Sequence, residues 1–484
     1  MKYSVITFGC RVNQADSLGF EEELRARGAD AVAPDRADVV IVNSCSVTAS
    51  ADQSARQTVR RLARINPHAR VIVTGCYATR QPDKFRGLPN VASVIPNDDK
   101  PRLIPLLADS GLFGVGSPLR VGSVRLQPAP STPERFGDGD GSCGSAIEPG
   151  VAGRTAFTLR VQTGCAQPCA YCIIPTTRGA PRSISVDVVL SEVHRIVDAG
   201  FKEVALTGVH LGSYGRDLSP ASSLVDLLRA LAERAAAYSR ARESMLEREV
   251  FRERGWGPAS TKNDVGPRRD RKMRGPASMK NDILFRISSL EPMDCSREVV
   301  DLVARHDCFA PHFHLPLQHA SDSVLTAMRR PYTIAYYADL VDSIRTRVPS
   351  ASIGSDVIVG FPGETDEDFD ELCAYLERSP LTHVHVFPYS DRPRTAASAM
   401  SGKVHGAVVR DRAARIREIG RRLTVRFRES QLGTIHQALT LEDGTLVVTG
   451  NYLKVRIPPG HKRNGWVNVK ITNANETGMT GEIW

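Results

Sequence analysis

The sequence predicts an α/β fold in three parts: an N-terminal parallel α/β sheet domain, a central partial (βα)6 barrel and a small C-terminal all-β barrel. Three observations carry this. Short β-branched runs alternate with helical patterns through the first part of the chain. A second alternation, with six strand-like runs, extends from Thr155 to about Ser390. After about Phe427, short strand-like runs follow one another with turn signals between them, as in a small barrel. With 484 residues the chain is too long for one ordinary domain. The expected boundaries are residues 1–111, a linker at 112–153, a barrel at 154–400 with an insertion at 240–282, a basic linker helix at 401–426 and the tail at 427–484.

Composition excludes several classes. Hydrophobic content of 41% with 24% charged residues is that of a globular protein. No apolar run approaches the roughly eighteen residues a membrane span needs, and the first residues read as a strand, not a signal peptide. Ten cysteines, most of them in tight loop motifs, fit metal binding in a reducing cytoplasm better than a disulfide framework. The net charge of +9 suits a polyanionic partner. It is concentrated at Lys403–Arg428 (nine Lys/Arg against two acids) and at Arg240–Arg274 (eleven against six), although charged runs are also ordinary solvated faces.

In the first part, strands are expected at Tyr3–Phe8, Ala37–Val42 and Arg70–Thr74, with helices at about 14–28 and 51–65. Each strand runs into a cysteine: Cys10, Cys45 and Cys76. In an open parallel sheet the carboxyl ends of the strands share one edge, so these distant cysteines should converge there. Three buried cysteines acting as small hydrophobes is the competing reading. The Gly-, Pro- and Ser-rich stretch 112–153 reads as a linker, and Cys143 within it has no partners at ligand spacing.

The barrel strands are expected at Phe157–Val161, Glu203–Thr207, Leu284–Ser288, His312–Leu315, Gly354–Val359 and His383–Phe387. After the first comes Cys165-x3-Cys169-x2-Cys172. Three thiolates this close can hold three irons of a cubane cluster and leave the fourth iron open, as a catalytic metal site requires. Barrels of this kind work at the carboxyl ends of their strands. The polar and glycine-rich segments there, with Gly208, His210, Ser289, Glu291, Gln318 and Asp356, together with Tyr171 in the loop, are the candidate cofactor contacts. Within 240–282, Gly257-Pro-Ala-Ser-Thr-Lys-Asn-Asp264 recurs as Gly275-Pro-Ala-Ser-Met-Lys-Asn-Asp282, a direct repeat read as a mobile insertion. Lys403–Arg428 reads as a helix with arginines on most faces. In the tail, Lys454, Arg456, Lys462 and Arg463 give a small barrel a basic face suited to RNA.

The three-cysteine loop closely resembles the signature of radical S-adenosylmethionine (SAM) enzymes. Together with Gly9-Cys-Arg-Val-Asn-Gln14, Val42-Asn-Ser-Cys-Ser-Val-Thr48 and Thr74-Gly-Cys76, the chain resembles the radical SAM methylthiotransferases, and the tail resembles their RNA-binding TRAM domain. Arg11–Gln14, Asn43–Thr48 and Leu206–Gly215 resemble the branch acting on N6-threonylcarbamoyladenosine at position 37 of tRNA. The resemblance implies two [4Fe-4S] clusters, on Cys10/Cys45/Cys76 and on Cys165/Cys169/Cys172, and SAM bound at the second. It implies that one electron cleaves SAM to a 5′-deoxyadenosyl radical, and that the first cluster carries or donates sulfur. It also implies tRNA, a low-potential electron donor and a sulfur source as partners, with no membrane. Rival readings are action on another tRNA adenosine or on a ribosomal protein aspartate, and a non-catalytic iron–sulfur RNA-binding protein. The insertion departs from the family pattern.

Overall fold

The computed structural model describes residues 1–109, 155–253, 283–441 and 443–484, and of 241–253 the backbone alone. The expected linker at 112–153, with Cys143, and the two repeat copies between 257 and 282 lie outside the described residues. The backbone is helical from Leu224 to Glu253, so the expected insertion begins as the continuation of a barrel helix.

Strands β1 (Lys2–Thr7), β2 (Asp30–Ala31), β3 (Val39–Ser44), β4 (Arg70–Gly75) and β5 (Val91–Ile95) form one parallel sheet in the order β2-β1-β3-β4-β5. The two-residue β2 and the edge strand β5 had no clear sequence signal, being short and bounded by polar residues. β3 is buried along its whole length because helices cover both faces, which explains its continuous Val/Ile run. Val40, Val42, Val71 and Val73 pack with Ala55, Val59 and Leu62 of helix α2 (Ala49–Ile65). The alternate residues Val39, Ile41 and Ile72 pack with Phe20 and Leu24 of helix α1 (Arg11–Ala26). Thr48 caps α2 by accepting the Ala51 N–H at 3.2 Å, which fixes the short path from Cys45 into the helix.

The central part holds β6 (Ala156–Arg160), a two-residue antiparallel pair β7 (Gln162–Thr163) and β8 (Arg182–Ser183) framing the cysteine loop, then β9 (Glu203–Thr207), β10 (Leu284–Ile287), β11 (His312–His314), β12 (Ser352–Val359) and β13 (His383–Pro388). Apart from the small pair, all six strands are parallel and run in the order β6-β9-β10 and β11-β12-β13. The two sheets are joined where Ala310 N–H donates to the Phe285 carbonyl at 2.8 Å, and the barrel is open between β13 and β6. Outward residues such as Leu159, Val204, Leu206, Phe285, Ile353 and Val357 pack against the helices in one large core. By the two-residue period of strands, Arg160, Glu203, Arg286, His312, His314, Asp356, His383 and His385 therefore face the barrel interior. The lumen is polar, unlike a barrel whose centre is a packed core.

In the tail, β14 (Ile435–Leu441), β15 (Leu446–Thr449), β16 (Lys454–Arg456), β17 (Trp466–Ala474) and β18 (Met479–Ile483) close into a barrel in the order β14-β15-β16-β18-β17. Closure removes sheet edges and buries Val447, Val455, Val469 and Ile471. The helix expected at 403–428 is Gly406–Glu429. Its arginines were expected to contribute to a polyanion-binding surface, but most are engaged within the protein. Arg412 pairs with Glu364 and Asp366, both at 2.6 Å, Arg415 with Asp370, Arg422 with Glu377, and Arg421 with Glu418 and Glu476. Because the preceding barrel helix is acidic along the facing side, this basic helix acts as a strut, with Arg410 and Arg417 left exposed.

The sheet domain is fastened to the barrel through charge. Asp16 of α1 is buried and pairs with Lys100 at 2.7 Å, with Arg178 at 3.2 Å and with Arg160. On the opposite face of the sheet, buried Asp52 of α2 pairs with Arg392 at 2.7 Å and with Arg80. Removing one partner of a buried pair leaves an uncompensated charge in a low dielectric and costs on the order of 3–5 kcal/mol. Asp16→Asn, which keeps the shape, is therefore expected to lower the midpoint of thermal unfolding of the sheet and barrel. Asp83→Asn, which breaks only the exposed pair with Arg86, should leave it nearly unchanged.

Candidate active site

Cys10, Cys45 and Cys76 do converge at the carboxyl edge of the sheet. Gly9, with φ +89°, lies so close to Cys45 that a Cβ built on it would sit 2.5 Å from the sulfur. Any side chain at position 9 would push the first and second cysteine segments apart. Gly75, with φ +98°, makes the same tight turn into the helix beginning at Cys76, against the Ser44 backbone.

The environments of the three thiols differ. Burial pushes Cys45 up to about 11, against the Val47 N–H that donates to its sulfur at 3.5 Å. Cys76 is also buried, but the charges of Arg178 and Lys100 and a hydrogen bond from Asn97 Nδ2 at 3.6 Å outweigh that burial and lower its pKa. In turn, burial and Arg178 press the Lys100 ammonium well below its ordinary range, while the sulfurs of Cys76, Cys10 and Cys45 pull it back. A metal takes cysteine as thiolate, so a pair of buried cations beside three converging thiols is the electrostatics that an anionic iron–sulfur centre needs.

The second triad lies on the loop between β7 and β8. Sulfurs of Cys165 and Cys172 accept the N–H groups of Gln167 and Ile174 at 3.4 and 3.5 Å, repeating the contact of Cys45 with Val47. Cys169 accepts from Arg330 Nη1 at 3.1 Å. Burial raises Cys169, with the charge of Arg330 opposing it, and pushes Cys172 up to about 12. Amide and guanidinium donors aimed at sulfur are how a protein tunes a cluster. Cys295, Cys308 and Cys373 are different: they pack in the apolar core and have the environment of small hydrophobes. Both triads thus fit cluster ligation.

An open cavity of about 190 Å³ lies where the sheet domain meets the cysteine loop, lined by Val47 and Thr48 of the sheet domain, Tyr171 to Ile174 of the cysteine loop, and Gln318, Asp356, Ile358, Pro388 and Tyr389 at the barrel's strand ends. Of the cofactor contacts expected from the sequence, Tyr171, Gln318 and Asp356 line this cavity. His210 lies beside Cys165 and pairs with Asp294 at 2.8 Å. Burial opposes its charge, but hydrogen bonds to Asp294 and Cys165 outweigh it and hold the ring up to about 9. Glu291 is ion-paired to the same Arg330 that touches Cys169. Ser289 Oγ is 2.9 Å from His314 Nδ1, in the lumen. Gly208 is packed against Leu211 and Gln162, so its part is to let chains approach. On the tail, Lys454 and Arg456 are exposed on either side of buried Val455, Lys462 is exposed and Arg463 half-buried.

Sequence reasoning missed Lys100, Arg178 and Arg330, whose positions carry no motif signal. It also missed the lumen histidines, although His312-x-His314 and His383-x-His385 show the period of a strand facing a polar interior.

Comparison with known proteins agrees with this geometry. Residues 2–96 match the model of the Uncharacterized protein family UPF0004, and residues 159–376 that of the Radical SAM superfamily. The chain is 32% identical to a threonylcarbamoyladenosine tRNA methylthiotransferase MtaB of Aquifex aeolicus, over 97% of this chain and 98% of the relative. It is 29% identical to the protein of that name in Bacillus subtilis, over 93% and 88%. A ribosomal protein uS12 methylthiotransferase RimO of Solibacter usitatus is 29% identical over 87% of this chain and 78% of the relative.

Replacing any one of the six cysteines by Ala should leave about half of the iron bound per chain, because each triad would hold one cluster. Cys308→Ala should leave the iron content unchanged. Iron and sulfide assays on anaerobically reconstituted protein measure both.

Proposed function

The chain belongs to the radical SAM methylthiotransferase family, and on that premise we propose that it places a methylthio group on C2 of N6-threonylcarbamoyladenosine at position 37 of tRNA. The observation that carries the reading is the cavity walled by Val47 and Thr48, which follow Cys45 in the sheet domain, and by Tyr171 to Ile174, with Cys172 among them, in the barrel. The substrate is favoured by the near full-length similarity to the Aquifex relative and by Arg11–Gln14 and Asn43–Thr48 at the first and second cysteines.

C2 of an adenine ring has no acidic hydrogen, so neither a base nor a nucleophile of the protein can functionalise it near neutral pH. The enzyme uses SAM and [4Fe-4S] clusters, which supply radical hydrogen abstraction and sulfur chemistry that no side chain offers. The residues do the rest. Cys165, Cys169 and Cys172 would hold one cluster and Cys10, Cys45 and Cys76 the other. Lys100 and Arg178 would balance the charge of the latter, and Arg330 that of the former. Tyr171, Gln318 and Asp356 would form the cofactor wall, flanked by Gly208, His210, Ser289 and Glu291. Lys454, Arg456, Lys462 and Arg463 would meet the tRNA backbone, where each phosphate contact strengthens binding in a salt-dependent way. No helix among the described residues is long and apolar enough to cross a membrane, and a cytoplasmic site of action fits a tRNA substrate. A low-potential electron donor and a sulfur source complete the expected partners.

Nucleoside mass spectrometry on tRNA from cells lacking the protein checks the reading. The methylthio-threonylcarbamoyladenosine signal should vanish and return with the wild-type chain, but not with Cys45→Ala or Cys165→Ala. If that nucleoside is unchanged while a uS12 peptide loses its methylthio mass, the tRNA assignment is wrong.

A further inference from the structure

Below the cavity, the barrel lumen is lined by aromatic and cationic groups. The first row under Gln318 and Ile358 is Asp356 with His314 at 3.2 Å and His385 at 3.3 Å, so the one carboxylate there is flanked by imidazoles. Below it lie His383 and His312, whose rings are 6.4 Å apart; Gly354, in register between His314 and His383, leaves room for the His383 ring. Under His312 sits Tyr452, which is 45% exposed and has its ring centroid 5.2 Å from that of the imidazole and 4.5 Å from the Arg286 guanidinium carbon. Tyr452 belongs to the C-terminal barrel. It is held at φ +68° by a turn whose Asn451 donates to the Ser350 carbonyl at 2.9 Å. A non-glycine residue in that conformation persists only where its surroundings fix it, and such residues gather at ligand clamps. From the sheet domain, Arg11, the residue after Cys10, donates to the Tyr452 hydroxyl at 3.3 Å. Three parts of the chain therefore meet at one point.

The chamber has unused hydrogen-bonding capacity. Arg286 is fully buried; its Nε donates to Glu203 at 2.6 Å and its Nη1 to the Gly450 carbonyl at 2.9 Å, but its Nη2 has no partner. His312, also buried, has an unpartnered Nδ1. An orphaned guanidinium N–H on a fully buried side chain costs free energy that an acceptor would recover, and a guanidinium matches a carboxylate best. Glu203 already balances the charge of Arg286, so Arg11 supplies the additional positive charge.

We propose that Arg286, His312, Arg11 and Tyr452 form a carboxylate-binding subsite that selects a modified base bearing an anionic N6 side chain over one bearing a neutral substituent. The inference rests on the tRNA reading above and deepens it: the threonyl group ends in a carboxylate, whereas an alkyl group offers nothing to these donors. A site built to hydrogen-bond a polar group rejects analogues that lack it, because its own buried groups then stay unpaired.

The test uses reconstituted holoenzyme and anticodon stem-loop RNAs carrying threonylcarbamoyladenosine, its methyl ester or an N6-alkyladenosine. Wild type should favour the free carboxylate over the ester by at least about tenfold in kcat/KM. Arg11→Leu and Tyr452→Phe should lose most of that preference, while iron content and SAM binding stay as in wild type. Tyr452→Phe keeps the ring packing, so it remains informative even if Arg11→Leu loosens the domain contact. Equal rates on acid and ester, or a preference kept intact in both variants, overturns the subsite. An enzyme that ignores all three RNAs and modifies a uS12 peptide instead overturns the tRNA reading itself, and the two failures are told apart by whether any RNA reacts.

Discussion

One buried carboxylate organises the molecule. Asp16, on the first helix, holds three cations from distant parts of the chain: Lys100 after the last strand of the sheet, Arg160 on the first strand of the barrel and Arg178 after the cysteine loop. A single carboxylate cannot neutralise three cations, and a dry interface does not tolerate the excess. The excess is directed at Cys76, which is lowered by Arg178 and Lys100 despite complete burial. Docking of the two domains and the charge requirement of the auxiliary cysteine site are thus solved by the same residues. The sheet should bind the barrel less well when that site is empty and protonated.

The consequence is a shared reaction space. Once α1 lies against β6, the sheet's carboxyl edge faces the barrel's, and the segments after Cys45 and around Cys172 become opposite walls of one cavity. The C-terminal barrel meets the lower end of the lumen through Tyr452, beside His312 and Arg286, and is braced by the basic helix whose arginines are occupied by Glu364, Asp366, Asp370 and Glu377. The positive charge of that helix is spent on holding the parts together. Lys454, Arg456 and Lys462 of the tail are exposed and form the surface proposed to meet RNA.

What the sequence made legible follows from where the information lies. Cys10, Cys45 and Cys76 could be brought together on paper because a parallel sheet aligns its strand ends, and the β-branched runs before each cysteine were unmistakable. The tail barrel was readable from runs and turns. Arg330 and Lys100 were not, because their partners lie 161 and 84 residues away and only tertiary packing pairs them. Gly208, a candidate contact by position, is packed against Leu211 and Gln162 with no room for a side chain. The basic helix was correctly read as a helix, but its charge pattern looked like a free surface until the acidic helix against it was seen.

The claim that both cysteine triads face one space is tested most directly by electron paramagnetic resonance of the fully reduced holoenzyme. Two paramagnetic clusters on opposite walls of one cavity should couple, broadening or splitting a spectrum that Cys45→Ala and Cys165→Ala each simplify to a single uncoupled signal. A wild-type spectrum equal to the plain sum of the two single-cluster spectra would place the centres far apart and contradict the account.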